Sequence, residues 1–186
     1  MNDYSITLFI HIVGALGFFV ALGLEWTGLR QIRSAMIPEQ ARGWMGILKS
    51  VRKVGFVSML TTVITGFYMM ATVWGSVAWI YASLGALVLV IALSVVLTGP
   101  RMAAFGQALA KEKGPLSQTF RNLANDPLLW ISLQTRVAIA LGIVFLKVTK
   151  PDLAGSLLTI GVAIVLGIAS ALPMPRRVQA GEGPAS

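Results

Sequence analysis

Apolar residues gather in five long runs, separated by stretches that hold nearly all of the charge. The runs lie at Ile6–Leu24, Val54–Val73, Val77–Thr98, Leu128–Leu146 and Leu153–Leu172. Each is close to the ~20 apolar residues that carry a helix across a bilayer core. The pattern predicts an all-α fold, a polytopic membrane bundle of five transmembrane helices. Punctuation between the runs sharpens the prediction. Pro38 suits the first turn of a helix that starts near Glu39 and runs into the second span. Arg101–Lys113 continues the third helix until Gly114-Pro115 stops it. Asn125-Asp126-Pro127 opens the fourth, with Asp126 as N-cap and Pro127 at the first helical position. The connections Trp74–Ser76 and Thr149–Asp152 leave room only for tight turns, which predicts that runs two and three pack as one antiparallel hairpin, and runs four and five as another.

Charge orients the bundle. Arg30, Arg33, Arg42, Lys49, Arg52 and Lys53 lie between the first two runs. Arg101, Lys111, Lys113 and Arg121 lie between the third and fourth, and Arg176 and Arg177 follow the fifth. The opposite side has only Lys147 and Lys150, and Arg136 falls within a run. The positive-inside rule then expects the N-terminus outside and the C-terminus in the cytoplasm of a bacterial inner (plasma) membrane. Trp74 and Trp79 would mark the outer interface, and Trp26, Trp44 and Trp130 the inner one.

Composition narrows the class. With 186 residues, 56% hydrophobic and 12% charged, the chain is expected to form a single transmembrane domain over 1–172 and a disordered cytoplasmic tail over 173–186. A net charge of +8 would suggest nucleic acid in a soluble protein. Here it follows membrane topology and contact with anionic lipid, so no nucleic-acid partner is expected. The absence of cysteine excludes disulfides, iron–sulfur clusters and thiolate metal sites. Ile6–Leu24 lacks a preceding basic stretch and a small-residue cleavage site, and reads as a retained span.

Three ionisable side chains and a pair of methionines stand out. His11, the single histidine, lies inside the first run on a stripe with Gly14, Phe18, Leu22 and Glu25. Intramembrane ionisable groups are costly and point to function. Gly14 and Gly17 lower the wall beside His11 for another helix or a flat cofactor. A neutral imidazole there suits haem iron or another metal, or else hydrogen-bonds a neighbouring helix. Met69 and Met70 lie at a similar depth and offer a thioether as second ligand, although methionine is also an ordinary packing residue. Arg136, half-way along the fourth run, suits a haem propionate, another anion or a quinone carbonyl. The alternative is a clamp onto backbone carbonyls or side-chain amides of neighbouring helices. Glu25 lies level with Arg52 and Lys53, where an interhelical salt bridge accounts for it and a proton relay is the sharper alternative. The absence of cysteine rules out Cys-His catalysis, and with its single histidine inside an apolar run the chain is not expected to hold a familiar Ser-His-Asp arrangement.

The first run, FIHIVGALGFFVALGLEW, resembles the LH-x-x-G-A/V-x-F/W opening of a group of small bacterial inner-membrane proteins. That group includes HemJ-type protoporphyrinogen oxidase, CopD-like copper-resistance proteins and integral membrane proteins of unassigned activity. TGFYMMATVWGSVAWIYASLGALVLV resembles its second and third helices, so the likeness covers about the first hundred residues. It implies that His11 ligates haem. HemJ-type proteins also carry a Trp-x-His-x-Lys pattern early in the third helix, where this chain reads Trp79-Ile80-Tyr81-Ala82-Ser83. That departure argues against protoporphyrinogen oxidation. The leading expectation is a membrane protein binding haem b through His11, with cofactor contacts from Arg136, Gly14, Met69 and Met70. The alternative is a non-enzymatic small-solute carrier, a channel, or a membrane subunit of a homo-oligomer or larger complex.

Overall fold

The computed structural model describes residues 3–172, and the expected tail over 173–186 lies outside them. All regular structure among the described residues is helical. Helix α1 spans Asp3–Ser34 and α2 spans Pro38–Met69, continued by a π-helical turn at Met70–Trp74. Helix α3 (Ala78–Ala92) runs through a second π-helical segment, Leu93–Thr98, into α4 (Gly99–Lys111). A short α5 (Gln118–Ala124) precedes α6 (Pro127–Thr149) and α7 (Leu153–Ala171). Five of the resulting helices are long and apolar enough to cross a membrane. The protein is a multi-pass helical membrane protein.

The ends of the helices follow local chemistry. Asp126 Oδ1 accepts from Leu128 N–H at 2.8 Å, with Pro127 in the first turn, where its missing N–H costs nothing. Asp152 caps α7 by accepting from Gly155 N–H at 2.8 Å. Helix α6 stops at Lys150, whose left-handed φ of 48° breaks the repeat. Gly75, at φ 66°, ends the first π turn in a conformation that glycine adopts without steric penalty.

Packing keeps the expected hairpin of runs four and five and departs from that of runs two and three. Helix α2 lies along α1 and scarcely touches α3, despite the short turn between α2 and α3. Helix α3 packs instead on α6 and α7, and α6 with α7 forms the second tight pair. Small residues decide this. Gly14 brings the α1 backbone against Ser58 and Thr62 of α2, and Gly167 brings α7 against the backbone of Thr135. The fourth span is the hub, with 56% of its apolar window buried against 6% for the second.

The larger core lies at the end of the molecule where the charged connections gather. There Leu29 and Ile32 of α1, Ala41 and Leu48 of α2, Phe105 of α4, Phe120 of α5 and Trp130 of α6 form one buried cluster. Phe105 and Phe120 meet edge to face at 5.5 Å. Arg42 fastens α2 to the end of α4 through the Glu112 carbonyl at 2.6 Å. The other half has only a small cluster of Ala86, Val90, Ile139 and Ile143, while its outer faces expose Leu, Val, Ile and Phe. At that far end, Trp74 and Trp79 contact each other edge to face at 5.9 Å, and Lys150 covers the Trp74 ring at 4.2 Å.

Candidate functional site: a polar seam between α1 and α6

Helices α1 and α6 run antiparallel and are joined across the bundle by two polar pairs at different depths. The far pair is His11 with Lys147. His11 is buried, its Nε2 meets Lys147 Nζ, and its Nδ1 lies 3.0 Å from Thr65 Oγ1 of α2. The Thr65 hydroxyl donates to the Thr61 carbonyl at 2.7 Å, so its lone pairs face the imidazole. Nδ1–H therefore donates to Thr65 and Nε2 accepts from the Lys147 amine.

The second pair is Glu25 with Arg136. Arg136 Nη1 donates to Glu25 Oε2 at 3.0 Å and Nη2 to Oε1 at 2.7 Å, a bidentate fork. This corrects the expected partner of Glu25: the carboxylate pairs with Arg136 across the seam, and not with Arg52 or Lys53 of α2. An arginine buried in α6 needs a counter-charge, whereas Arg52 and Lys53 are exposed. Arg136 Nη2 also reaches Thr98 Oγ1 at 3.4 Å, and Thr98 shares a hydrogen bond with Ser132 Oγ at 3.0 Å. Ser132 Oγ in turn donates to the Leu93 carbonyl at 3.1 Å. Leu93 and Thr98 are the two ends of the second π segment, so the seam is wired to the irregular stretch of the third helix. Beside this network, Arg136 Nε and Thr135 Oγ1 have no hydrogen-bond partner among the described residues.

Between the pairs lies an apolar layer of Phe18 and Leu22 from α1 with Ile139, Ala140 and Ile143 from α6. Fourteen residues separate His11 from Glu25, about 21 Å of helix rise. Nearer the charged end, Arg101 Nε donates to Asp126 Oδ2 at 2.8 Å and ties α4 to the start of α6.

The remaining candidates are distributed around this frame. Gly14 is covered by α2, where an added Cβ would lie 2.7 Å from Thr62 Oγ1, so the low wall admits a helix. Met69 is buried and Met70 half-buried, each one turn beyond Thr65 and Gly66, the residues that His11 touches. Neither methionine is among the partners of the imidazole nitrogens. The fit to a haem is poor as the residues stand. Both nitrogens of His11 are engaged, and Gly66 packs so closely that an added Cβ would be 3.3 Å from Cε1. Among the described residues no three His, Asp or Glu side chains gather as a metal site.

Lys147 is the residue that sequence reasoning passed over as a flanking charge. Its signal was spacing: it follows Arg136 by eleven residues, about three turns, and so shares that helix face. Compared with known proteins, the chain matches no family model, no curated protein and no solved structure.

Proposed function

We propose that the chain is a non-enzymatic carrier of the bacterial inner membrane, oriented N-out and C-in, whose working part is the α1–α6 seam. The observation that carries this reading is the contact between Lys147 Nζ and His11 Nε2. Two bases touching inside a span hold one exchangeable proton between them, and no acidic side chain among the described residues pairs with either. The proton resides on Nζ and is donated to Nε2, or moves to Nε2 and is donated back. Thr65 accepts from Nδ1–H in both states. At the other station, Arg136 Nε and Thr135 Oγ1 are free to meet a carbonyl or anionic group of a small solute. The apolar layer between the stations fits a carrier that changes shape better than a continuously open pore.

The test is proton-linked transport. Proteoliposomes containing a pH-sensitive dye, challenged with a filtered small-molecule extract of bacterial cells, should change internal pH faster than protein-free vesicles. Lys147→Met and His11→Ala should bring the signal to background, while Lys150→Met should leave it intact. Full activity in Lys147→Met, or no difference from empty vesicles, would overturn the carrier reading. A haem absorption band in the purified protein that is lost in His11→Ala would replace it with haem ligation.

A further inference from the structure

A cleft separate from the seam opens between α2 and α4. Its floor is apolar, formed by Leu48 of α2 with Met102, Ala103 and Gly106 of α4, and its edge carries Lys49 and Arg52. Both cations are exposed, and no carboxylate among the described residues pairs with them. Charge of one sign left uncompensated beside an apolar floor is complementary to an anionic amphiphile.

Depth and shape narrow that class. The second apolar run begins at Val54 and the third ends at Thr98, so the cleft lies just past both, at headgroup level. Helices α2 and α4 touch here, whereas α2 and α3 scarcely do, so the walls diverge toward the bilayer. A molecule seated with its charge at Lys49 and Arg52 would send its apolar part along that divergence. The space beside Gly106 is open, since a Cβ there would meet nothing within 4 Å.

We propose that this cleft is a binding site for one anionic glycerophospholipid, its phosphate held by Lys49 and Arg52 and an acyl chain lying over Leu48, Met102 and Gly106. The guanidinium supplies a planar two-point contact to phosphate oxygens and the ammonium a point charge. Neither the Lys147–His11 contact nor any transport activity is needed for it.

Native mass spectrometry of the detergent-purified full chain tests it, with dioleoyl phosphatidylglycerol and dioleoyl phosphatidylcholine as probes. One phosphatidylglycerol should bind at a concentration about tenfold or more below that needed for phosphatidylcholine, as expected for two basic contacts at a membrane surface. K49Q/R52Q should lose that preference, and the equal charge change K111Q/K113Q should keep it. G106L should weaken phosphatidylglycerol with both cations present, because its side chain fills the floor. Equal binding of the two lipids, an equal loss in K111Q/K113Q, or full binding by G106L would overturn the proposal. Displacement of the lipid by millimolar inorganic phosphate would overturn it too, in favour of a free-anion site.

Discussion

Removing one member of the Glu25–Arg136 pair should cost far more than removing both. Arg136 is 6% and Glu25 20% exposed at the side chain, so either single loss strands a charge away from water. Arg136→Leu or Glu25→Leu should each lower stability by about 3 kcal/mol or more, whereas the double variant should lie within about 1 kcal/mol of wild type. Unfolding in mixed detergent micelles measures this, and single variants as mild as the double would disprove the pairing. His11 gives a second check at this scale. As the single histidine it yields one set of imidazole nitrogen resonances, which should report protonation at Nδ1, with Thr65→Val removing that preference. A wild-type ring protonated at Nε2 but not at Nδ1 would refute the assigned hydrogen bonds. The anomalies His11, Glu25 and Arg136 were each legible in the sequence, because ionisable groups in apolar runs declare themselves. Their partners were not. Which side chain meets Glu25 depends on how α1 and α6 are rotated against each other, and that rotation is set by tertiary packing that no local spacing fixes.

Helix existence followed directly from the runs, and the caps at Asp126 and Asp152 show why the starts fall where they do. Which helices pack together was harder to see, since a short turn at 75–77 says only that two ends are near each other. Side-by-side contact comes from small residues along the length, and these join α1 to α2 and α6 to α7. A pair of substitutions in α7 tests that cause. A Cβ at Gly167 would lie 2.5 Å from Thr135 Cα, a backbone atom that moves only with its helix. Gly167→Ala should therefore destabilise by about 1–3 kcal/mol as an overpacked site. Gly161, with nothing within 4 Å, should accept alanine with a change of less than about 1 kcal/mol. Equal thermal shifts for the two variants would contradict the α6–α7 crossing. The π segment Leu93–Thr98 had no sequence signature at all. Its wider turn offers the Leu93 carbonyl to Ser132 and Thr98 to Arg136, contacts made by residues more than thirty positions away.

Taken whole, the molecule has one end rich in arginine and lysine and another marked by Trp74, Trp79 and Lys150. Because the chain has no cysteine, single introduced thiols report the orientation cleanly. On intact cells, a membrane-impermeant maleimide should label Lys150→Cys and leave Lys113→Cys unlabelled until the membrane is opened. The opposite pattern would invert the assigned topology. The uneven core has its own thermodynamic consequence. At the arginine-rich end, aromatic and aliphatic side chains from five helices are hidden from water. In the other half, Leu, Val and Ile mostly exchange contact with lipid tails for contact with one another, which leaves hydration unchanged. A water-soluble fold gains about 12–15 cal/mol/K of heat capacity per residue on unfolding, because its interior becomes hydrated. This chain should gain well under that in calorimetry, with its increment arising from the arginine-rich end. Its stability curve should accordingly be flat: cooling would weaken that end modestly, and the lipid-facing half would be almost indifferent to temperature.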